Sequence, residues 1–539
     1  MVDGLIMDYQ LTVPSLMRRA EQLYGSREVV SRLPDKSLHR YRMADFVRRS
    51  KQLTLALRRL GIRSGDRVAT LAWNHYGHLE AYFGVPSAEA VLHTINLRLP
   101  VDDIVYIADH AEDRILLIDE VLLPLFQQIR SRTHFEHVVV MQATKPVPDG
   151  MLDYEELLAA EDPAAFAYPE FGERTAAAMS YTSGTTGRPK GVLYSHRAIV
   201  LHSLGIGLAE SVALSGHDVA MPVVPMFHVN AWGLPFACVM IGAKLVLPGP
   251  HLDPQSLIDL LVRERVTFTA GVPTIWLGIL QALDKAAERP DLSALHTMLV
   301  GGAAAPPAMI AGFEQRHGLR VVHAWGMTET TPLGTVSNLP LELEGASPEE
   351  QLRSRSRQGI PMPLVEVRAR GENGSVPWDG KTPGELELRG AWVASSYYRS
   401  DEQADRFTED GWFRTGDIVT IDPTGSVQIQ DRIKDVIKSG GEWISSVLLE
   451  NALMAHPAVA EAAVIAVPDP KWQERPLACV VLREGQSATP DELREFLARD
   501  FPKWWLPDAF AFLDQIPKTS AGKFLKSALR KQFATEKEL

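Results

Sequence analysis

The run Tyr181-Thr-Ser-Gly-Thr-Thr-Gly-Arg-Pro-Lys-Gly191 gathers residue types that suit a polyphosphate. Gly184, Gly187 and Gly191 lack the Cβ that keeps a backbone N–H away from phosphate oxygens, and glycine can take the positive φ of a concave nest. Thr182, Ser183, Thr185 and Thr186 add short hydroxyls whose oxygens also suit a hard cation, and Lys190 adds a mobile positive charge. The loop is not a Walker A element, in which Gly-Lys is followed at once by Ser or Thr and a helix: Arg188 and Pro189 separate Gly187 from Lys190 here, and Gly191 follows the lysine. The apolar approach from Ala176 to Met179 and the run Val192 to Tyr194 predict strands on both sides. A solvated Gly/Thr-rich hairpin turn has the same composition, so the chemistry depends on the rest of the chain.

Further clusters add matching chemistry. In His323-Ala-Trp-Gly-Met-Thr-Glu-Thr330, Trp325 offers a face for a purine, Thr328 a donor to phosphate and Glu329 a hard oxygen ligand for Mg2+. A strand end capped by Thr-Glu-Thr is the plainer reading. Val300-Gly-Gly-Ala-Ala-Ala-Pro306 is a backbone-exposing turn on which a flat base could lie. Trp412-Phe-Arg-Thr-Gly-Asp-Ile418 puts Asp417 where a carboxylate could accept hydrogen bonds from both ribose hydroxyls, with Arg432 to reinforce it. Lys434, Lys438 and Gly440-Gly441 offer charge and open backbone to another anion, although a charge run is commonly a solvated face. Lys523 lies in a Gly-containing turn within Pro517-Lys-Thr-Ser-Ala-Gly-Lys-Phe-Leu-Lys526, where a solvated lysine is the ordinary case.

The elements that must position these residues alternate in type. Phe46 to Leu60 has helical apolar spacing, and short apolar runs at Arg67, Ile115, Lys244, Phe268 and Met298 read as strands. That alternation predicts an α/β fold with parallel-type sheets flanked by helices. After about Gly359 the pattern becomes short strands with turns, a β-rich subdomain expected as a small barrel. From Asp431 a compact α+β unit follows. The chain of 539 residues is too long for one core, and the expected division is 1–430 and 431–539.

A net charge of -12 argues against a nucleic-acid partner. Cys238 and Cys479 lie far apart in apolar surroundings, which suits free thiols in a reducing cytoplasm. Asp3 and Asp8 stand where an export signal would be basic and then apolar. From Val219 to Ala243 there is no Asp, Glu, Lys or Arg, but Pro222, Pro225, His228, Asn230 and Pro235 break the stretch. It reads as a buried strand, a loop and a helix lining a pocket rather than a membrane span.

Taken in order, these motifs resemble the adenylate-forming superfamily that contains acyl-CoA synthetases, nonribosomal adenylation domains and firefly-type luciferases. Pro225-Met-Phe-His-Val-Asn-Ala-Trp-Gly233, Ser439-Gly-Gly-Glu-Trp-Ile-Ser-Ser-Val447 and Pro470-Lys-Trp-Gln-Glu-Arg-Pro476 are similar to bacterial medium- and long-chain fatty-acyl-CoA ligases and to ligases that activate 3-methylmercaptopropionate. The resemblance implies a two-step reaction: acid plus ATP gives acyl-AMP and pyrophosphate, then the CoA thiol takes the acyl group and releases AMP. It implies that the 181–191 loop holds the β- and γ-phosphates and that Thr185 and Glu329 flank Mg2+. Lys523 and Thr328 would stabilise charge at the α-phosphate, while Asp417 and Arg432 hold the ribose. The base would lie between Gly301-Gly302-Ala303 and the Ala324-Trp325-Gly326-Met327 segment, at a position where the family usually has Gly-Tyr in place of Ala324-Trp325.

By the same resemblance, His228, Trp232, Gly302 and Gly326 border the acyl group. Lys438, Gly440, Gly441, Glu442 and Trp443 would meet CoA after the C-terminal domain rotates about Asp431. A homodimer built through the N-terminal segment is also implied. A luciferase-like oxygenase or acyl transfer to a carrier protein would share the first step. A non-catalytic nucleotide-binding scaffold would have no need to keep Glu329, Asp417 and Lys523 together.

Overall fold

The computed structural model describes residues 4–182, 188–400, 405–440, 442–519 and 523–535. Its frame is two large sheets, and the alternating pattern read from the sequence decides their form: a strand buried on both faces needs a crossover helix before its parallel neighbour. In the nine-stranded sheet the strands Lys244–Leu247, Val219–Pro222, Phe268–Gly271, Thr297–Val300 and Val321–Gly326 lie side by side and parallel. Leu333–Ser337 closes back antiparallel on Val321–Gly326. The seven-stranded sheet pairs Arg67–Leu71 with Val91–Thr94 and Asp113–Asp119 in parallel. Ala176–Tyr181 then joins Val91–Thr94, and Gly191–Ser195 pairs antiparallel with it, so the phosphate-type run connects two paired strands.

Helices fill the faces. Met43–Arg59 buries Phe46, Val47, Leu53 and Leu57 along one side, the spacing of an amphipathic helix. The uncharged stretch resolves into the strand Val219–Pro222, a left-handed turn Val229–Gly233 and the helix Leu234–Ile241, whose residues Leu234 to Met240 are all buried. Among the described residues no helix is long and apolar enough to cross a membrane.

The β-rich subdomain expected as a small barrel is a five-stranded antiparallel sheet that includes Val365–Gly371, Gly384–Gly390, Phe413–Ile421 and Val427–Arg432 in that spatial order. The C-terminal unit pairs Val459–Asp469 with Gln473–Leu482 and packs the helices Ser446–Met454 and Lys526–Thr535 against them. Cys238 and Cys479 are both buried and free.

Candidate active site

The parallel strands of the larger sheet end where ligands bind in open α/β sheets, at their carboxyl edge. Gly301 and Gly302 follow the strand Thr297–Val300, and Ala324, Trp325 and Gly326 end the strand Val321–Gly326. Met327 leads into the short turn Thr328–Thr330. A Cβ on Gly326 would come within 1.9 Å of the Pro332 carbonyl oxygen, so only glycine lets the chain double back here. These residues line a cavity of about 360 Å³ together with Thr182, Lys190, His228, Trp232, Arg432 and Lys523. Ala303, Asp417, Asp431 and Lys434 line an adjoining cavity of about 390 Å³ between the two domains, which Trp325, Arg432 and Lys523 also border.

Asp417 and Arg432 face each other across antiparallel strands. Asp417 is 2% exposed, and its Oδ1 lies 3.1 Å from Arg432 Nε. The adjacent carboxylate pushes the guanidinium pKa up. Asp417 Oδ2 accepts the indole N–H of Trp325 at 3.0 Å. Trp325 therefore brings a polar tip to the carboxylate as well as a ring face to the cavity, which its position in the sequence does not disclose.

Glu329 is buried, and its Oε1 accepts the hydroxyl of Tyr397 at 2.6 Å. Burial and the Glu329 charge hold the Tyr397 phenol above its usual pKa, so it stays a donor. The carbonyl of Thr328 accepts the hydroxyl of Tyr194 at 2.8 Å. Lys190 Nζ lies 5.2 Å from the centre of the Tyr397 ring. Tyr194 and Tyr397 fix the Thr328–Glu329 turn, and sequence reading missed both. The second Glu329 oxygen accepts no hydrogen bond from a described residue and fits a hard cation at the cavity.

Lys523 enters from the C-terminal domain. Its backbone N–H donates to Thr519 Oγ1 at 3.1 Å, and its Cε would lie 3.8 Å from a Cβ built on Gly302 of the other domain. Loss of bulk water, with Arg432 nearby, brings the ammonium pKa down to about 8. His228 is lowered to about 3 by desolvation and by Lys523, so its imidazole is neutral at ordinary pH. After it, Val229, Asn230, Ala231 and Trp232 hold φ values of 44–57°. A left-handed run of side-chain-bearing residues is strained, by roughly 1–2 kcal/mol each, and it carries the buried Trp232 to the cavity wall.

Asp431 is 1% exposed and accepts the backbone N–H and the hydroxyl of Ser446, each at 2.6 Å, and the backbone N–H of Arg432 at 2.7 Å. Lys438, Gly440, Glu442 and Trp443 lie on or beside the hairpin Ile437–Ser439 and Glu442–Ile444, and none of them lines the Lys523 cavity. Gly440 donates its N–H to the Trp472 carbonyl at 2.8 Å, and Trp443 is half exposed. At the paired strands that the phosphate-type run connects, Thr182 Oγ1 accepts the Lys190 N–H at 3.0 Å. Ser183, Gly184, Thr185, Thr186, Gly187 and Gly441 lie outside the described residues.

Residues 17–398 match the AMP-binding enzyme family, and 448–523 match the AMP-binding enzyme C-terminal domain. The chain is 52% identical to a long-chain-fatty-acid–CoA ligase of Thermus thermophilus, over 98% of this chain and 96% of that protein. It is 46% identical to a 3-methylmercaptopropionyl-CoA ligase of Ruegeria lacuscaerulensis, over 98% of each. The crystal structure of an anthranilate CoA ligase in complex with anthranoyl-AMP has the same fold, with a TM-score of 0.86 at 24% identity over 98% of this chain and 99% of that one.

Proposed function

The chain belongs to the AMP-binding family of adenylate-forming acyl-CoA synthetases, and we propose that its acid is a fatty acid of medium or long chain or a short thioether acid such as 3-methylmercaptopropionate. ATP and CoA are the co-substrates. The observation that carries the site assignment is Lys523 of the C-terminal domain sharing one cavity with Thr328, Glu329, Arg432 and His228.

In the first step a carboxylate oxygen of the acid attacks the α-phosphorus, and the bond to the β-phosphate oxygen breaks to release pyrophosphate. Lys523 in its ammonium form and the Thr328 hydroxyl meet the charge that builds there, catalysis by charge already in place. Asp417 and Arg432 take the ribose, and Trp325 with Gly301, Gly302 and Ala303 flanks the base. Glu329 and Thr185 would hold Mg2+, which supplies charge neutralisation on the phosphate oxygens when bound. The neutral His228 can direct a hydrogen bond toward the acid carboxylate without pairing it as a salt.

In the second step the CoA sulfur attacks the acyl carbonyl, and the bond to AMP breaks. We assign residues 1–430 and 431–539 to the two bodies that rotate about Asp431, which exchanges Lys523 for the face carrying Lys438, Gly440, Gly441, Glu442 and Trp443. Val229, Trp232 and Leu333 give the acyl end an apolar wall that suits an alkyl or thioether chain. The chain also presents Leu5, Ile6 and Met7 at 90–97% exposure, apolar surface that supports a homodimer formed through this segment.

Pyrophosphate release measured against a panel of acids from propionate to palmitate, with 3-methylmercaptopropionate included, tests this reading. The expected result is release only with both ATP and acid, and acyl-CoA only when CoA is added. Release without acid, or none with any acid, would overturn it.

A further inference from the structure

His110 is the penultimate residue of the helix Val101–Ala111, in a segment without a recognisable motif. It lines the 360 Å³ cavity, as do Thr182, Arg188 and Lys190 at the two flanks of the phosphate-type loop. There Nδ1 lies 2.7 Å from the hydroxyl of Tyr181, the last residue of the strand that enters that loop. Tyr181 is buried, and a Cβ on Gly191 would come within 3.1 Å of its Cζ, so the ring is clamped against the strand that leaves the loop. Tyr398 braces the same place, its N–H donating to the Gly191 carbonyl at 2.9 Å. The imidazole stands edge-on to both rings, with centroids 5.8 Å from Tyr181 and 5.6 Å from Tyr398.

The hydrogen-bond roles follow from the phenol. Burial and the nearby Asp113 charge keep the Tyr181 hydroxyl protonated, and no other acceptor for it is present among the described residues. Its O–H therefore donates to Nδ1, which leaves the imidazole proton on Nε2. No described residue bonds to Nε2. Arginines gather around the same place: Arg188 lies 4.8 Å from the Tyr106 ring centre, Arg399, which is also paired with Glu112, lies 5.0 Å from that of Tyr398, and Arg406 lines the same cavity.

We propose that His110 is a further substrate-binding residue, whose Nε2–H donates to the terminal phosphate of ATP and to pyrophosphate as it departs. This rests on the adenylating reading above and adds to it a contact supplied by a helix outside the loop. A hydrogen bond to a charged phosphate oxygen is among the stronger kind, and it acts on the polyphosphate only, since the acyl-adenylate has lost that part of ATP.

The test compares His110→Phe and His110→Ala with the unaltered chain in two separate reactions. One is ATP formation from synthetic acyl-AMP and pyrophosphate with Mg2+; the other is acyl-CoA formation from synthetic acyl-AMP and CoA. Phenylalanine keeps the aromatic packing and removes the donor. The expected result is a rise of about ten-fold or more in KM for pyrophosphate, with thioester formation unchanged and His110→Gln recovering part of the loss through its own N–H. Tyr181→Phe, which frees the tautomer, is expected to move KM the same way by less. Unaltered KM values in both His110 variants, or equal losses in both reactions, would overturn the proposal. If the unaltered chain itself forms no ATP from acyl-AMP and pyrophosphate, the adenylating reading falls and the His110 contact with it, whereas an active parent with indifferent variants removes His110 alone.

Discussion

Trp325 and Asp417 are joined directly: the indole Nε1–H donates to Oδ2 at 3.0 Å, while Arg432 holds Oδ1 at 3.1 Å. Both oxygens of a nearly buried carboxylate are thus held by side chains of the protein itself. In the proposed reading the ribose would meet an acceptor whose orientation is set by the indole of Trp325.

Replacing Trp325 with Phe keeps an aromatic face and deletes the N–H. Asp417 then loses one of its two side-chain partners in a buried setting, a loss of about 1.5 kcal/mol for a hydrogen bond to a charged group. The expected outcome is a KM for ATP raised several-fold, with KM for the acid little changed and a correspondingly lower midpoint in urea. Steady-state kinetics with each substrate varied in turn and a denaturation curve check both. Equal effects on ATP and acid would mean that the indole acts through general packing.

The charge on Lys523 sets a basic limb for the first step. Its pKa is brought down to about 8, so the ammonium form prevails below that pH and is lost above it. Because kcat/KM reports the free enzyme, kcat/KM for ATP in acyl-AMP formation is expected to fall as pH rises through about 8. Thioester formation from synthetic acyl-AMP should lack this limb if Lys523 leaves the site for that step. Lys523→Ala should remove acyl-AMP formation and leave the second reaction in place; a mutant that also fails to make thioester would refute that division of labour.

The phosphate-type loop, the Ala324-Trp325 segment, Asp417 and Lys523 were legible because each is a short local run with unusual composition. Their partners were not. Tyr397 meets Glu329 across 68 positions of chain and Trp325 meets Asp417 across 92; such pairs arise only when the β-rich sheet docks on the larger one. The alternating βα order announced parallel sheets because apolar periodicity is local. The left-handed turn at Val229–Trp232 was read only as a loop, since Val, Ala and Trp are not residues that favour positive φ. The Lys438–Trp443 hairpin lies away from the Lys523 cavity, and a motif cannot state which face of a separate domain is turned toward that cavity.

Behind the Asp431 position lies a buried charge network. Lys526 Nζ donates to Ser446 Oγ and to Glu450 Oε1, each at 2.6 Å, and Ser446 in turn donates to Asp431. Lys526→Met would leave the buried Glu450 without its ammonium partner, a loss of about 3–5 kcal/mol where the carboxylate stays charged. Burial pushes Glu450 up to about 7. A raised carboxyl pKa means that the folded state keeps a proton that the unfolded chain releases above about 4.5. The stability this group contributes is therefore full at acid pH and is lost as pH rises through about 7. Denaturant titrations between pH 5 and 8 should show that slope, and Glu450→Gln should flatten it; an unchanged slope would assign it to another group.

Trp232 tests the acyl wall. It is 6% exposed, sits in the left-handed turn and shares the cavity with His228 and Gly302. Trp232→Ala removes an indole from an apolar wall, and each methylene that gains burial there adds about 0.8 kcal/mol, close to four-fold in affinity. Longer acids should gain in kcat/KM relative to shorter ones, while KM for ATP stays near its original value if, as proposed, the base and ribose are held by other residues. A uniform loss across all acids would place Trp232 in the packing of the fold. Ala231→Gly supplies the companion measurement, since glycine relieves the positive φ of 48° at that residue without touching the cavity wall. If strain in the turn holds the indole in place, this variant should broaden the range of acids accepted while Trp232 itself is intact.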